Sequence, residues 1–203
     1  MLEIIISVVT NFIINGISSL GYVGIGVMMA IESACIPLPS EIIMPFAGFL
    51  VTQGRFGLME VAFAGALGCV VGSVITYAIG IWRGRDFIEK YGKYIFISHH
   101  DLDIADKFFN KHGSNAIFLS RLLPVIRTFI SLPAGIARMN FNKFIIYTFL
   151  GSLPWCFALA YVGKKLGDHW NTLGVYFHRF DIIIVLVIIA MAIWHIKRYF
   201  KHK

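Results

Sequence analysis

Residues 22–53, YVGIGVMMAIESACIPLPSEIIMPFAGFLVTQ, decide the fold. The stretch is longer than the roughly 20 apolar residues a membrane-crossing helix needs. It is nevertheless interrupted by Pro37, Pro39 and Pro45 and carries two acids, Glu32 and Glu41. Proline removes a backbone donor and clashes with the preceding turn, so a single continuous helix is not expected here. Irregular backbone at membrane depth is tolerated only where protein buries it or where it lines a wet cavity. The stretch therefore reads as a re-entrant hairpin, which enters the bilayer and leaves on the side it came from.

The rest of the chain supports a membrane setting. It has 203 residues, 58% of them hydrophobic and 14% charged, with a mean hydropathy of +0.75. That is too apolar for a soluble domain of this size and too short for more than a few spans, so one integral membrane domain is expected. The start, MLEIIISVVTNFIING, shows neither a basic leader nor a small-residue cleavage site, and a removed signal peptide is not expected.

Residues 58–82, LMEVAFAGALGCVVGSVITYAIGIW, form a first span. The Arg83, Arg85, Lys90 and Lys93 that follow place its end in the cytoplasm. Gly65, Gly68 and Gly72 allow close approach of a neighbouring helix. Residues 144–163 and 180–196 read as two further spans. The last is followed by a tail of four cations, Lys197, Arg198, Lys201 and Lys203, that belongs inside.

Two spans between two cytoplasmic basic clusters already return the chain to its side, so residues 116–137 must enter and leave together. Their sequence, which includes AIFLSRLLPVIRTFISLPAGI, holds Pro124 and Pro133. They read as a second re-entrant hairpin, opposite in sense to the first. Lys164 and Lys165 fall outside in this topology, as a minority against the positive-inside rule. The expected fold is thus an all-α integral membrane protein of two inverted repeats. Each repeat is a re-entrant helical hairpin plus a transmembrane helix, with an additional C-terminal transmembrane helix. Inverted repeats with broken helices meeting near the midplane are a transporter architecture.

Two lesser segments complete the map. Residues 1–20 carry Glu3, Ser7, Thr10, Asn11, Asn15 and Ser18 mostly on one helical face, as an amphipathic or interfacial helix does. Within the cytoplasmic segment 84–114, residues 98–113 read as a surface helix with Ser98 as its N-cap.

The chain has 18 Lys and Arg and 11 Asp and Glu. Only Glu32, Glu41, Arg121 and Arg127 lie deep inside apolar stretches, acids in the first hairpin and arginines in the second. Each such charge costs about 2.5–3.5 kcal/mol on insertion scales, so the four should meet or line a wet cavity. Guanidinium is planar, permanently charged and able to donate two parallel hydrogen bonds to a phosphate, so Arg121 and Arg127 are the candidate headgroup-binding residues. Glu32 and Glu41 are the candidate counter-ions and proton carriers. A purely structural ion pair locking the hairpins together is the competing reading of the same four residues. Pro37, Pro39, Ser40, Pro45, Ser120, Pro124, Pro133 and Gly135 shape the loops rather than contact substrate.

Other features carry less. Cys35, Cys69 and Cys156 are scattered in apolar context and read as buried thiols. His99 and His100 beside Asp101 and Asp103 lack further ligands at a recognised spacing, so neither a metal nor another cofactor is expected. The net charge of +7 sits beside apolar segments without an aromatic-basic recognition motif, which points to anionic lipid rather than nucleic acid.

At this level of detail the residues resemble a known family. Glu32, the IPLPSE run ending at Glu41, the following MPFAG, then FLSRLLPVIR, LPAG, Gly151 and Trp155 appear in order over roughly residues 20–165. The pattern is similar to the DedA family of bacterial membrane proteins, relatives of the eukaryotic VTT-domain or SNARE-associated Golgi proteins. The resemblance implies lipid translocation across the bacterial cytoplasmic membrane, with undecaprenyl phosphate recycling as the leading expectation and proton coupling often invoked. It also implies that the family's essential acids fall on Glu32 and Glu41 and its essential arginines on Arg121 and Arg127, although the loop between the acids is shorter here than in some members.

The expected partners are therefore a phosphate-containing membrane lipid and protons, with no nucleic acid, and a homo-oligomer is compatible with the pattern. A phosphatidylethanolamine translocase and a proton-coupled ion or drug antiporter are the alternatives. A lipid-modifying enzyme using Ser40 or Ser120 ranks last, because neither hairpin contains a histidine to activate a serine.

Overall fold

The computed structural model describes residues 12–36, 38–91, 115–123 and 126–167. Among these, every regular element is helical and there is no strand. In chain order they are α1 (12–20), α2 (Tyr22–Ser33), α3 (Ser40–Thr52), α4 (Leu58–Tyr91), α5 (115–121), α6 (Ile126–Phe129), α7 (Ser131–Ile136) and α8 (Phe141–Leu166). The expectations for residues 1–11, the surface helix at 98–113, the span at 180–196 and the basic tail lie outside the described residues. So do Pro37 and Pro124.

Length separates two kinds of helix. Among the described residues, only the Leu58–Trp82 part of α4 and the whole of α8 are long and apolar enough to cross a membrane, with mean hydropathies of 2.0 and 1.6. At 1.5 Å per residue each is about 37–39 Å long, against a hydrocarbon core of about 30 Å. α2 and α3, at about 18–20 Å, are too short to cross. α4 does not stop at Trp82 but continues for nine residues to Tyr91, past the point where charge alone suggested an end.

Not every proline breaks the chain. The break between α2 and α3 is confined to residues 34–39, where Pro39 caps α3 in an extended conformation. Pro45 lies buried inside α3 without ending it, a correction to the reading that it interrupts the stretch. Pro133 is the third residue of α7, in the first turn, where a backbone N–H has no intrahelical partner to lose.

α2 closes with Cys35 in the left-handed region (φ 64°), its N–H on the Glu32 carbonyl (3.1 Å) and that of Ile36 on Ile31 (3.3 Å). α7 closes in the same way at Arg138 (φ 49°), with bonds to Gly135 and from Met139 to Ala134. Both are Schellman closures made without glycine at the left-handed position.

The helices pack through small residues. A methyl group added at Gly72 would lie 2.0 Å from the Ala30 carbonyl oxygen, and one at Gly68 would lie 2.1 Å from that of Gly26, so α2 and α4 touch backbone to backbone. Gly135 of α7 meets the Tyr77 carbonyl of α4, and Gly48 of α3 meets the Ala160 carbonyl of α8, at 2.2 and 2.0 Å on the same measure. Thus α3 packs on α8 while α7 packs on α4. Dispersion and close approach, rather than water release, hold helices together in lipid.

The outer surface is apolar. Met59, Phe63, Leu67, Val71, Ile75, Ile79 and Trp82 form an exposed stripe along α4, and Val23 and Val27 of α2 with Ile146 and Leu150 of α8 are also exposed. Such a surface is a liability in water and natural in hydrocarbon.

Candidate functional site

Charge lies inside the bundle. Glu32, Arg121 and Arg127 are only 5%, 2% and 3% exposed, and none could be held there without partners. Glu32 lies on the same face of α2 as Ile25, Met28 and Met29, all buried. The short helix α6 presents Arg127, and one Nη of its guanidinium donates to a Glu32 carboxylate oxygen in a buried ion pair. The Arg127 guanidinium also lies over the Trp155 ring of α8, 5.2 Å from its centroid. At the turn that ends α2, Cys35 Sγ donates to the Thr128 carbonyl at 3.3 Å, tying that turn to α6.

Arg121 is held differently. It ends α5 and makes three hydrogen bonds, all to neutral acceptors: the Arg127 carbonyl (2.9 Å), Ser73 Oγ of α4 (2.8 Å) and Ser131 Oγ of α7 (2.7 Å). Its Nε is buried with no partner. The α5–α8 contact leaves no room at Gly151, where a methyl group would come 2.7 Å from Arg121 Cβ.

Among the described residues, the four charges make one ion pair rather than two. The structure joins Glu32 to Arg127. Among the described residues Arg121 makes no ion pair with a carboxylate; Ser73 and Ser131 take both donors of one of its terminal nitrogens. Glu41 sits partly buried in the first turn of α3, accepts a 3.2 Å hydrogen bond from Ser40 Oγ, and has no ion-pair partner among the described residues. Ser120 is spent locally, donating to the Ile117 carbonyl at 2.8 Å.

The residues in contact thus carry two guanidiniums and one carboxylate, a net positive charge in a low-dielectric interior that invites an anion.

Residue-type reasoning missed Ser73, Ser131 and Thr148. The available signal was their polarity inside apolar runs, since a hydroxyl in a membrane helix needs a partner. Thr148 Oγ1 and Trp155 Nε1 are buried and, like Arg121 Nε, unpaired. Among the described residues no group of three or more His, Cys, Asp or Glu could hold a metal ion.

A helical bundle that buries its ion pair and turns its large apolar side chains outward is a membrane protein. The chain belongs to the VTT-domain, or DedA, family, whose domain matches residues 38–165. It is 41% identical over 183 residues to the uncharacterized membrane protein YkoX of Bacillus subtilis, covering 90% of this chain and 81% of the relative. It is 38% identical over 180 residues to undecaprenyl phosphate transporter A of the same organism (87% and 89%). An alkaline phosphatase-like protein of Lactococcus lactis is 34% identical over 210 residues (98% and 94%). No solved structure matches.

Proposed function

We propose that this protein carries a phosphate-headed lipid, in the first place undecaprenyl phosphate, across the bacterial cytoplasmic membrane. The observation that carries the reading is the buried Glu32–Arg127 pair with Arg121 beside it, hydrogen-bonded to a carbonyl and two hydroxyls. The printed function of the Bacillus subtilis transporter agrees with it.

In this reading the α2–α3 and α5–α7 segments are re-entrant hairpins of two inverted repeats, each followed by a crossing helix, α4 or α8. The reciprocal packing of α3 on α8 and α7 on α4 supports that relationship. The basic tail is cytoplasmic.

The empty protein holds Arg127 on Glu32, and the lipid phosphate displaces the carboxylate. A bidentate guanidinium suits phosphate at least as well as carboxylate, so the exchange needs no large driving force. Glu32, left desolvated without its counter-ion, then gains a reason to take up a proton. Proton uptake is thereby coupled to lipid binding. Glu41, at the start of α3 and without an ion-pair partner among the described residues, is the second proton carrier.

Hydrolysis, raised by the name of the Lactococcus lactis relative, is the less favoured reading, because the Ser120 hydroxyl already donates to a carbonyl of its own helix. Labelled undecaprenyl phosphate in proteoliposomes separates the two. Movement between leaflets without release of inorganic phosphate supports transport. Release of phosphate, or flux of a small cation without lipid movement, overturns it.

A further inference from the structure

Among the described residues, three buried groups able to donate have no hydrogen-bond partner: Arg121 Nε, Thr148 Oγ1 and Trp155 Nε1. A buried polar group left unpaired is costly, so three of them in one region call for an acceptor. They do lie in one region. Thr148, Gly151 and Trp155 are spaced along one face of α8, within about 10 Å of helix axis. Gly151 abuts Arg121, and the Trp155 ring lies under the Arg127 guanidinium. Thr148 is fully buried and Arg121 only 2% exposed, so bulk water does not satisfy them.

Arg121 Nε and Trp155 Nε1 can only donate, and the Thr148 hydroxyl can donate as well as accept. The occupant the set suits is therefore rich in acceptors and, beside the arginines, carries negative charge. A phosphate monoester offers three strong acceptor oxygens and a charge of about −1.5 to −2 at neutral pH. A phosphodiester offers two such oxygens and a single charge. Once Glu32 has taken up a proton in the exchange proposed above, Arg121 and Arg127 leave two positive charges, and the three unpaired groups, Arg121 Nε among them, offer three donors; together these match the monoester.

We infer that Thr148 and Trp155 of α8, with Arg121 Nε, form a donor set that binds the terminal phosphate of a monoester lipid in preference to a diester headgroup. This rests on the lipid-transport reading above and extends it from the arginines to α8. The shared headgroup chemistry has two sources, a prenyl phosphate and a phosphatidic acid, and both belong in the test.

The experiment measures equilibrium binding of labelled undecaprenyl phosphate, phosphatidic acid and phosphatidylethanolamine to the full chain in detergent. The variants are Trp155→Phe, which keeps the ring under Arg127 and removes the N–H, and Thr148→Val, which keeps the shape and removes the hydroxyl. Thermal melting of each variant reports folding independently. The parent should bind one or both monoesters more tightly than the diester, and each variant should weaken monoester binding by roughly 10- to 100-fold, as loss of a hydrogen bond to a charged group does. Binding of both monoesters assigns recognition to the phosphate alone, and binding of undecaprenyl phosphate only adds a contribution from its chain. If the parent binds a monoester and both folded variants bind it equally well, the donor set is wrong while the transport reading stands. If the parent binds neither monoester, the two fall together.

Discussion

Arg127 and Glu32 stand 95 positions apart in the chain and share a buried hydrogen-bonded ion pair, with the indole ring of Trp155 beneath the guanidinium. The pair joins α6 to α2. It is both the tie between two broken segments and, in the transport reading, the bond that a substrate must replace.

Removing one partner of such a pair leaves the other buried and uncompensated. Glu32→Ala is therefore expected to destabilise the protein by about 3–5 kcal/mol, and Arg127→Ala by a similar amount. The double variant should cost less than the sum of the two. Denaturation in detergent checks this cycle, and simple additivity would show that the pair is not coupled. Glu32→Gln, which keeps an acceptor, should accumulate nearly as the parent does but lose any response of lipid flux to an imposed pH gradient.

Arg127→Lys preserves charge but loses the planar fork and the stacking over Trp155. Lipid transport in proteoliposomes should fall at least about tenfold, the size of one lost charge-assisted hydrogen bond, with folded protein retained. Parental transport by this variant would remove the bidentate grip from the mechanism.

Arg121 has a heavier structural duty, since one side chain links α5 to Ser73 of α4, Ser131 of α7 and the Arg127 carbonyl. Ser73→Ala and Ser131→Ala should each cost about 1–3 kcal/mol, because each leaves a buried charged donor short of an acceptor. Arg121→Met should lower the amount of folded protein in the membrane well below that of Arg127→Lys. Quantitative immunoblotting of membranes compares the two.

Backbone contact at Gly72 leaves no space for a side chain, whereas at Gly26 a methyl group would lie 3.5 Å from the Ala64 carbonyl, an ordinary contact. Gly72→Ala is expected to destabilise by about 1–3 kcal/mol through overpacking. Gly26→Ala should stay within about 0.5 kcal/mol of the parent. Equal melting temperatures for the two variants would contradict the α2–α4 packing.

The proposed inverted arrangement makes a topological prediction. A cysteine replacing Arg55 or Lys165 should react with a membrane-impermeant maleimide from outside the cell, and one replacing Asn142 only after permeabilisation. Outside labelling at Asn142 would reverse or abolish the inverted arrangement.

Much of this protein is legible in its residues. The helical membrane class follows from the apolar runs and their interruptions, and Glu32, Arg121 and Arg127 stand out because a charge in hydrocarbon is too costly to be incidental. What residue types cannot specify is which partners meet. Pairing the acids with the arginines was a matter of sign, and sign alone does not distinguish Glu32 from Glu41 or Arg121 from Arg127. Tertiary structure made that choice. α6 sets Arg127 against α2, and the hydroxyls of Ser73 and Ser131 reach Arg121 from two other helices and take up the donors of one of its terminal nitrogens. Pro45 likewise resembles Pro39 on paper, yet only Pro39 marks a break, because the packing of α3 on α8 holds the helix together across Pro45. Hydrophobicity and charge are properties of single residues and can be read one at a time. Hydrogen-bond pairing and backbone contact depend on the distance between segments that are remote in the chain, and only the folded bundle sets that distance.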